Sequence, residues 1–116
     1  MNPSGMRLEL GVERSSSRGD IGVVGEFDRL NIEHFDRVSA GLTSVLREFV
    51  VDLRRTTIID SAALGSLVRL RHALDDVNCS MTVIVSKPFQ ETVMRVGGLF
   101  DYLGVVVDND PNTGTS

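Results

Sequence analysis

Polar and apolar residues alternate from Arg7 to Glu13 (Arg-Leu-Glu-Leu-Gly-Val-Glu), which predicts a half-buried strand. The polar stretch Ser15-Ser16-Ser17-Arg18-Gly19-Asp20 separates it from a second strand over Ile21–Val24, and so short a connection predicts an antiparallel hairpin. From Asn31 the apolar spacing changes to threes and fours. Ile32, Phe35, Val38, Leu42, Val45 and Leu46 form a helical stripe, weakened in its middle by Gly41, which costs about 1 kcal/mol relative to Ala and is expected to fray or stop the helix. Phe49-Val50-Val51-Asp52-Leu53 predicts a strand buried on both faces at a sheet centre.

Residues 54–60 read as a connection into a second helix, with Leu64, Leu67, Val68, Leu70, Leu74 and Val77 along or beside one stripe. Met81–Val85 predicts another strand. Ser86-Lys87-Pro88 then opens a third helix, with Pro in the first turn where its missing N–H costs nothing. Phe89, Val93 and Val96 are expected to face inward, and Gly97-Gly98 supplies the stop. Val105-Val106-Val107 closes as a final strand. The order β-β-α-β-α-β-α-β predicts an α/β fold in which each helix after the hairpin carries the chain back over a mixed, four- to five-stranded sheet. One domain over residues 6–108 is expected, with flexible termini at 1–5 and 109–116.

Composition narrows the function classes. The chain has 116 residues, enough for one domain, and its hydrophobic fraction of 41% supports a real core that must be mainly aliphatic, with no Trp and one Tyr. A net charge of −4 with interspersed signs argues against nucleic acid and against an anionic membrane surface, since both require a basic face. Arg54-Arg55 and Arg69 with Arg71 are the densest basic spots and read as solvated faces. The single cysteine, Cys79, excludes an intramolecular disulfide and a multi-thiolate metal site and reads as a small, partly buried apolar residue. With no secretory signal and no apolar run long enough to span a bilayer, a reducing cytoplasm is the expected location.

Reactive groups do not converge. His34 and His72 fall in separate helices at polar positions, without neighbours at metal-ligand spacing, and Cys79 lacks an adjacent base. Phosphate-cradling glycine loops and metalloprotease motifs are missing from the sequence, so neither a cofactor nor a metal is expected. Asp28, after the second strand, and Asp60, after the connection, are expected to meet at one end of the sheet, where ligands and partners favour the loops beyond strand ends. Each is also explained as a turn or cap residue.

The segment Asp60-Ser61-Ala62-Ala63-Leu64-Gly65 stands out. Either Asp60 or Ser61 can cap the helix that starts there, because a side-chain oxygen accepts from the free N–H groups of the first turn. A hydroxyl in that position also lies beside exposed donors and the positive end of the helix dipole, so a phosphate on it would be accommodated without unfolding the domain. Such a phosphate adds roughly −1.5 to −2 charges beside Asp60, enough to spoil the fit of a partner shaped for the neutral serine.

These residues resemble the STAS domains, in their stand-alone form as anti-sigma-factor antagonists. The resemblance covers Leu8 to Val107. It rests on Val23-Val24-Gly25-Glu26-Phe27-Asp28, similar to the family's Gly-Glu-Leu-Asp, and on Val51-Asp52-Leu53 followed by Asp60-Ser61-Ala62-Ala63-Leu64-Gly65, similar to Asp-Leu…Asp-Ser-Ser-Gly-Leu-Gly. It implies a transcription regulator and not an enzyme. Unphosphorylated, such a protein binds an anti-sigma factor that is also a serine kinase, and so releases a sigma factor. Phosphorylation, here on Ser61, ends that complex, and a serine phosphatase restores it.

The partner-binding positions implied are Asp28, Asp60, Ser61, Ala62, Ala63 and Gly65. Ala62 replaces the family's second serine and leaves Ser61 as the only hydroxyl of the turn. Ala63 replaces its glycine, with a methyl expected where the partner approaches. That departure keeps a second reading in view: a non-switching STAS scaffold, a transport accessory subunit or a small-ligand-sensing module.

Overall fold

Alternation across the first segment does produce a strand, β1 (Met6–Glu13), which pairs antiparallel with β2 (Arg18–Phe27) in a register that sets Met6 opposite Gly25 and Glu13 opposite Arg18. The computed structural model describes residues 5–42 and 46–108. Helix α1 (Ile32–Leu42), β3 (Glu48–Asp52), β4 (Thr56–Ile59), helix α2 (Ser61–Asp76), β5 (Ser80–Val85), helix α3 (Pro88–Val96) and β6 (Val105–Val107) follow. All pairings beyond the hairpin are parallel, and the sheet runs β1-β2-β3-β5-β6 with β4 also on β2.

The mixed α/β architecture is the expected one, with β4 added inside what reads in sequence as a connection. β3 pairs with residues 18–22 of β2 and β4 with residues 25–27, so the two share one side of the same long strand. Within the β2–β4 pairing the register slips between Gly25 and Glu26, with Thr57 the extra residue on β4, and Gly25 itself has a φ of +99°. A side chain there would collide with the carbonyl oxygen of Gly5, so the position needs glycine. β2 is ten residues long and extends past the stretch paired with β3, and so it reaches two successive partners.

Burial alternates along β2 and β5, which places the helices over one face of the sheet. Ile21, Val23, Phe49, Val51, Val83 and Val85 meet Phe35, Leu67, Leu74 and Met94 in the core. Val50 points to the other face and is still only 4% exposed, so the expectation that this strand is buried on both sides holds at its centre. Charged side chains supply the cover there: the Arg18–Glu48 ion pair joins β2 to β3 at 3.3 Å, and Arg54, in the turn after β3, pairs with Asp52 at 2.8 Å. Arg54 is therefore not the solvated surface residue expected; it bridges Asp52 and Asp108, the latter at 2.7 Å.

Three helix expectations change. α1 ends at Leu42, just past Gly41 as that glycine predicts, so Leu46 is buried but outside the helix, and Val45 lies outside the described residues. Val77 at the end of the α2 stripe is 48% exposed. In α3 Phe89 and Val96 are exposed and do not face inward; Val93 is half-buried against the core as expected, and Gln90 and Met94 are the buried pair.

The reason is backbone demand at the start of α3. The Gln90 amide nitrogen donates to the carbonyls of Leu53 and Thr56 at 2.6 and 2.8 Å, and its oxygen accepts from the N–H groups of Ser86 and Lys87 at 2.9 and 3.1 Å. A polar residue thus takes a core position because it satisfies four backbone groups at once. At the chain ends, Gly5 and Asp108 are anchored, by bonds to Glu26 and Val85; the expected flexible segments otherwise lie outside the described residues.

Candidate functional site

Two loops leave the same end of the sheet, one after β2 and one after β4. In the first, the Asp28 carbonyl accepts from the N–H groups of Asn31 and Ile32, and one Asp28 carboxylate oxygen accepts from Leu30 N at 3.2 Å and Asn31 Nδ2 at 2.9 Å. Asp28 therefore shapes the entry to α1. In the second, Asp60 is the N-cap of α2, accepting from Ala63 N at 3.0 Å through one carboxylate oxygen. The other oxygen accepts from Arg29 N at 2.9 Å, and the Asp60 N–H donates to Phe27 O at 3.3 Å. A single carboxylate thus stitches the two loops together.

The juxtaposition expected of Asp28 and Asp60 is present. A shallow pocket of about 370 Å³ is lined by Asp28, Arg29, Leu30, Asp60, Ser61 and Ala62. Ser61 is exposed, occupies the first residue of α2, and makes no side-chain hydrogen bond among the described residues. Asp60, not Ser61, is the cap, which leaves the hydroxyl uncommitted.

Two of the predicted positions stand elsewhere. Ala63 is fully buried in the core cluster, so its methyl points into the protein and not toward an approaching partner. Gly65 is half-buried one turn further on, where an added Cβ would lie 3.4 Å from the Arg69 guanidinium.

Arg29 and Leu30 belong to the pocket and were not among the predicted residues. Arg29 is the pocket's sole cationic lining residue, and Leu30 is 73% exposed. A signal existed: Leu30 falls between the strand and the helix, in register with neither, so its apolar side chain has no place in the core.

The remaining reactive groups lie apart from this pocket. His72 meets the Tyr102 hydroxyl at 3.2 Å, with the Arg71 guanidinium over the same ring. Cys79 is buried, and burial together with the nearby Glu48 charge pushes its thiol pKa up, away from nucleophilic behaviour. Among the described residues no group of three or more His, Cys, Asp and Glu could hold a metal ion, and no helix is long and apolar enough to cross a membrane.

A parallel sheet with a hairpin edge, helices over one face and an Asp-Ser turn opening the helix after β4 define the class. The chain belongs to the STAS-domain family: the family model described as Mlab, STAS domain matches residues 10–107. Among solved structures it is similar to an anti-sigma factor antagonist from Mycobacterium paratuberculosis, at a TM-score of 0.78 and 15% identity, over 97% of this chain and 93% of that one. The anti-sigma factor antagonist SpoIIAA in its unphosphorylated form gives a TM-score of 0.74 at 17% identity, covering 93% and 91%. The Bacillus cell fate determinant SpoIIAA in its phosphorylated form gives 0.68 at 17% identity, covering 93% and 95%. At these identities the likeness establishes the fold. No match to a curated protein reaches significance.

Proposed function

We propose that this protein is an anti-sigma-factor antagonist switched by phosphorylation of Ser61. Unmodified, it binds an anti-sigma factor with serine kinase activity and so releases a sigma factor. The kinase phosphorylates Ser61, the complex ends, and a serine phosphatase resets the switch. The protein acts by binding and not by catalysis.

One observation carries this reading: Ser61 is exposed in the first turn of α2 and makes no side-chain bond among the described residues, while the neighbouring carboxylate does the capping. A hydroxyl free of structural duty can be modified without loss of the fold. Ala63 N and Leu64 N already donate to Asp60, which leaves Ser61 N and Ala62 N as the first-turn donors open to a phosphate. Arg29 lines the same pocket and offsets part of the added charge, while Asp28 and Asp60 oppose it. Exposed Leu30, beside Ser61, is the apolar surface that a partner would cover and a phosphate would spoil.

Two of the similar structures are anti-sigma factor antagonists and a third is a phosphorylated form of SpoIIAA, which supports this reading. The site residues proposed for docking are Asp28, Arg29, Leu30, Asp60, Ser61 and Ala62, with Ala63 and Gly65 supporting them from behind. Ser61→Ala is expected to keep binding permanently on and Ser61→Glu to weaken it, measured by calorimetry against the cognate kinase. Mass mapping after incubation with kinase and ATP should find phosphate on Ser61. Equal affinity of the two variants would dismiss the switch.

A second reading keeps only the STAS-domain membership that the family model gives: a non-switching STAS scaffold, transport accessory subunit or small-ligand-sensing module. A stable complex indifferent to both Ser61 variants supports that one.

A further inference from the structure

The main run of the sheet ends in two edge strands, β1 and β6, and they differ. β6 is three residues long, short enough to offer little to another strand. β1 is eight residues long, and among the described residues nothing pairs with its outer side. Leu10 and Val12 stand opposite Ile21 and Gly19, hence on the helix-covered face, yet are 55% and 53% exposed. Arg7, Glu9 and Glu13 stand on the other face.

Charges on an edge strand ordinarily discourage pairing. Here their spacing selects one register. A two-fold, antiparallel pairing that keeps both faces continuous must set odd residues against odd and even against even. Centred on Glu9 it brings Glu9 against its own copy, and centred on Gly11 it brings Glu9 against Glu13 twice. Centred on Leu8 it matches charges but pairs only residues 6–10 and leaves Val12 uncovered. Centred on Leu10 it sets Arg7 opposite Glu13 twice, Leu8 opposite Val12 twice, Leu10 against Leu10, and Glu9 opposite Gly11, where there is no side chain to oppose it.

The charges are available for this exchange. Glu13 accepts only from the Ser15 and Ser16 hydroxyls, at 3.4 and 3.0 Å, with no basic partner among the described residues. Arg7 pairs with Glu9 at 3.0 Å, but Glu9 also holds Arg55 at 2.9 Å and keeps a partner if Arg7 turns away. Gly11 is fixed by its surroundings, since a Cβ would lie 2.8 Å from the Asp20 carboxylate.

We propose that β1 is a self-association edge, through which two copies of this chain pair antiparallel about Leu10 and join their sheets into one. The two-fold axis stands perpendicular to the sheet, so the helices of both copies lie on one side and Leu10 and Val12 of each are covered between them. β2 separates β1 from β4, so the pairing leaves the Ser61 turn open and stands independently of the proposed switch.

Sedimentation equilibrium of the full chain over a concentration series tests this. The mass should rise toward twice that of the monomer. Glu13→Arg and Leu10→Lys should each weaken association at least about tenfold, because like charges then face each other across the axis. The double variant Arg7→Glu with Glu13→Arg should restore it. Circular dichroism and thermal unfolding show whether each variant keeps its fold, which these exposed positions permit. A wild-type mass that stays monomeric overturns the inference. So does a dimer insensitive to Glu13→Arg and Leu10→Lys, or a double variant that folds without recovering association.

Discussion

Gln90 offers the sharpest test of how this fold is held. Its side chain is fully buried and makes four hydrogen bonds to backbone groups, two on each side, joining the turn between β3 and β4 to the first turn of α3. Gln90→Leu keeps the volume and removes all four. At about 1 kcal/mol net for each bond the loss is about 4 kcal/mol. The carbonyls of Leu53 and Thr56 belong to buried residues, so the burial of unpaired acceptors adds to the loss; the N–H groups of Ser86 and Lys87, nearer solvent, recover part of it through water. The better transfer of a leucine side chain into the core offsets some of the remainder.

A net destabilisation of about 3–5 kcal/mol is expected, a large share of the roughly 5–15 kcal/mol available to a domain of this kind. Urea unfolding followed by circular dichroism measures it directly, as a lower midpoint at unchanged slope. A Gln90→Leu protein within about 1 kcal/mol of wild type would refute the claim that α3 is docked by this side chain.

Two further outcomes follow from single side chains. Ala63→Gly, which installs the glycine that the resemblance leads one to expect, should destabilise by about 1 kcal/mol through lost helix propensity and a small cavity, with no gain in the rate of the proposed Ser61 phosphorylation, because the methyl faces the core; a kinase time course that accelerates would contradict this placement. Burial alone would raise the Asp52 carboxyl, but hydrogen bonds from the Arg54 side chain and backbone and the nearby arginine charges outweigh it and hold its pKa below the usual value. A lowered folded-state pKa gives stability that is present above the unfolded value of about 3.9 and is lost as pH falls through the folded one. Asp52→Asn should therefore lower stability at neutral pH by about 1–3 kcal/mol and flatten the loss below about pH 4, read from urea midpoints across the acid range.

Local pattern was enough for most of the architecture. Alternation in β1, the threes and fours of α1 and α2, proline in the first turn of α3 and the Gly97-Gly98 stop are short-range signals, and each is read from a few neighbouring residues. The Asp-Ser turn belongs with them, since a cap and the helix it opens are adjacent in sequence.

What the pattern could not reach were choices made by residues distant along the chain. Thr56–Ile59 becomes a strand because β2 runs past its pairing with β3 and leaves Gly25–Phe27 free to pair with it. Gln90 displaces Phe89 and Val96 from the core because carbonyls at Leu53 and Thr56, more than thirty residues earlier, need donors. Ala63 faces inward, and Arg29 joins the pocket, because Asp60 binds both loops at once. Hydrophobic spacing records which residues prefer to leave water. Which backbone groups lie within reach of a given side chain is set only once the chain has closed on itself.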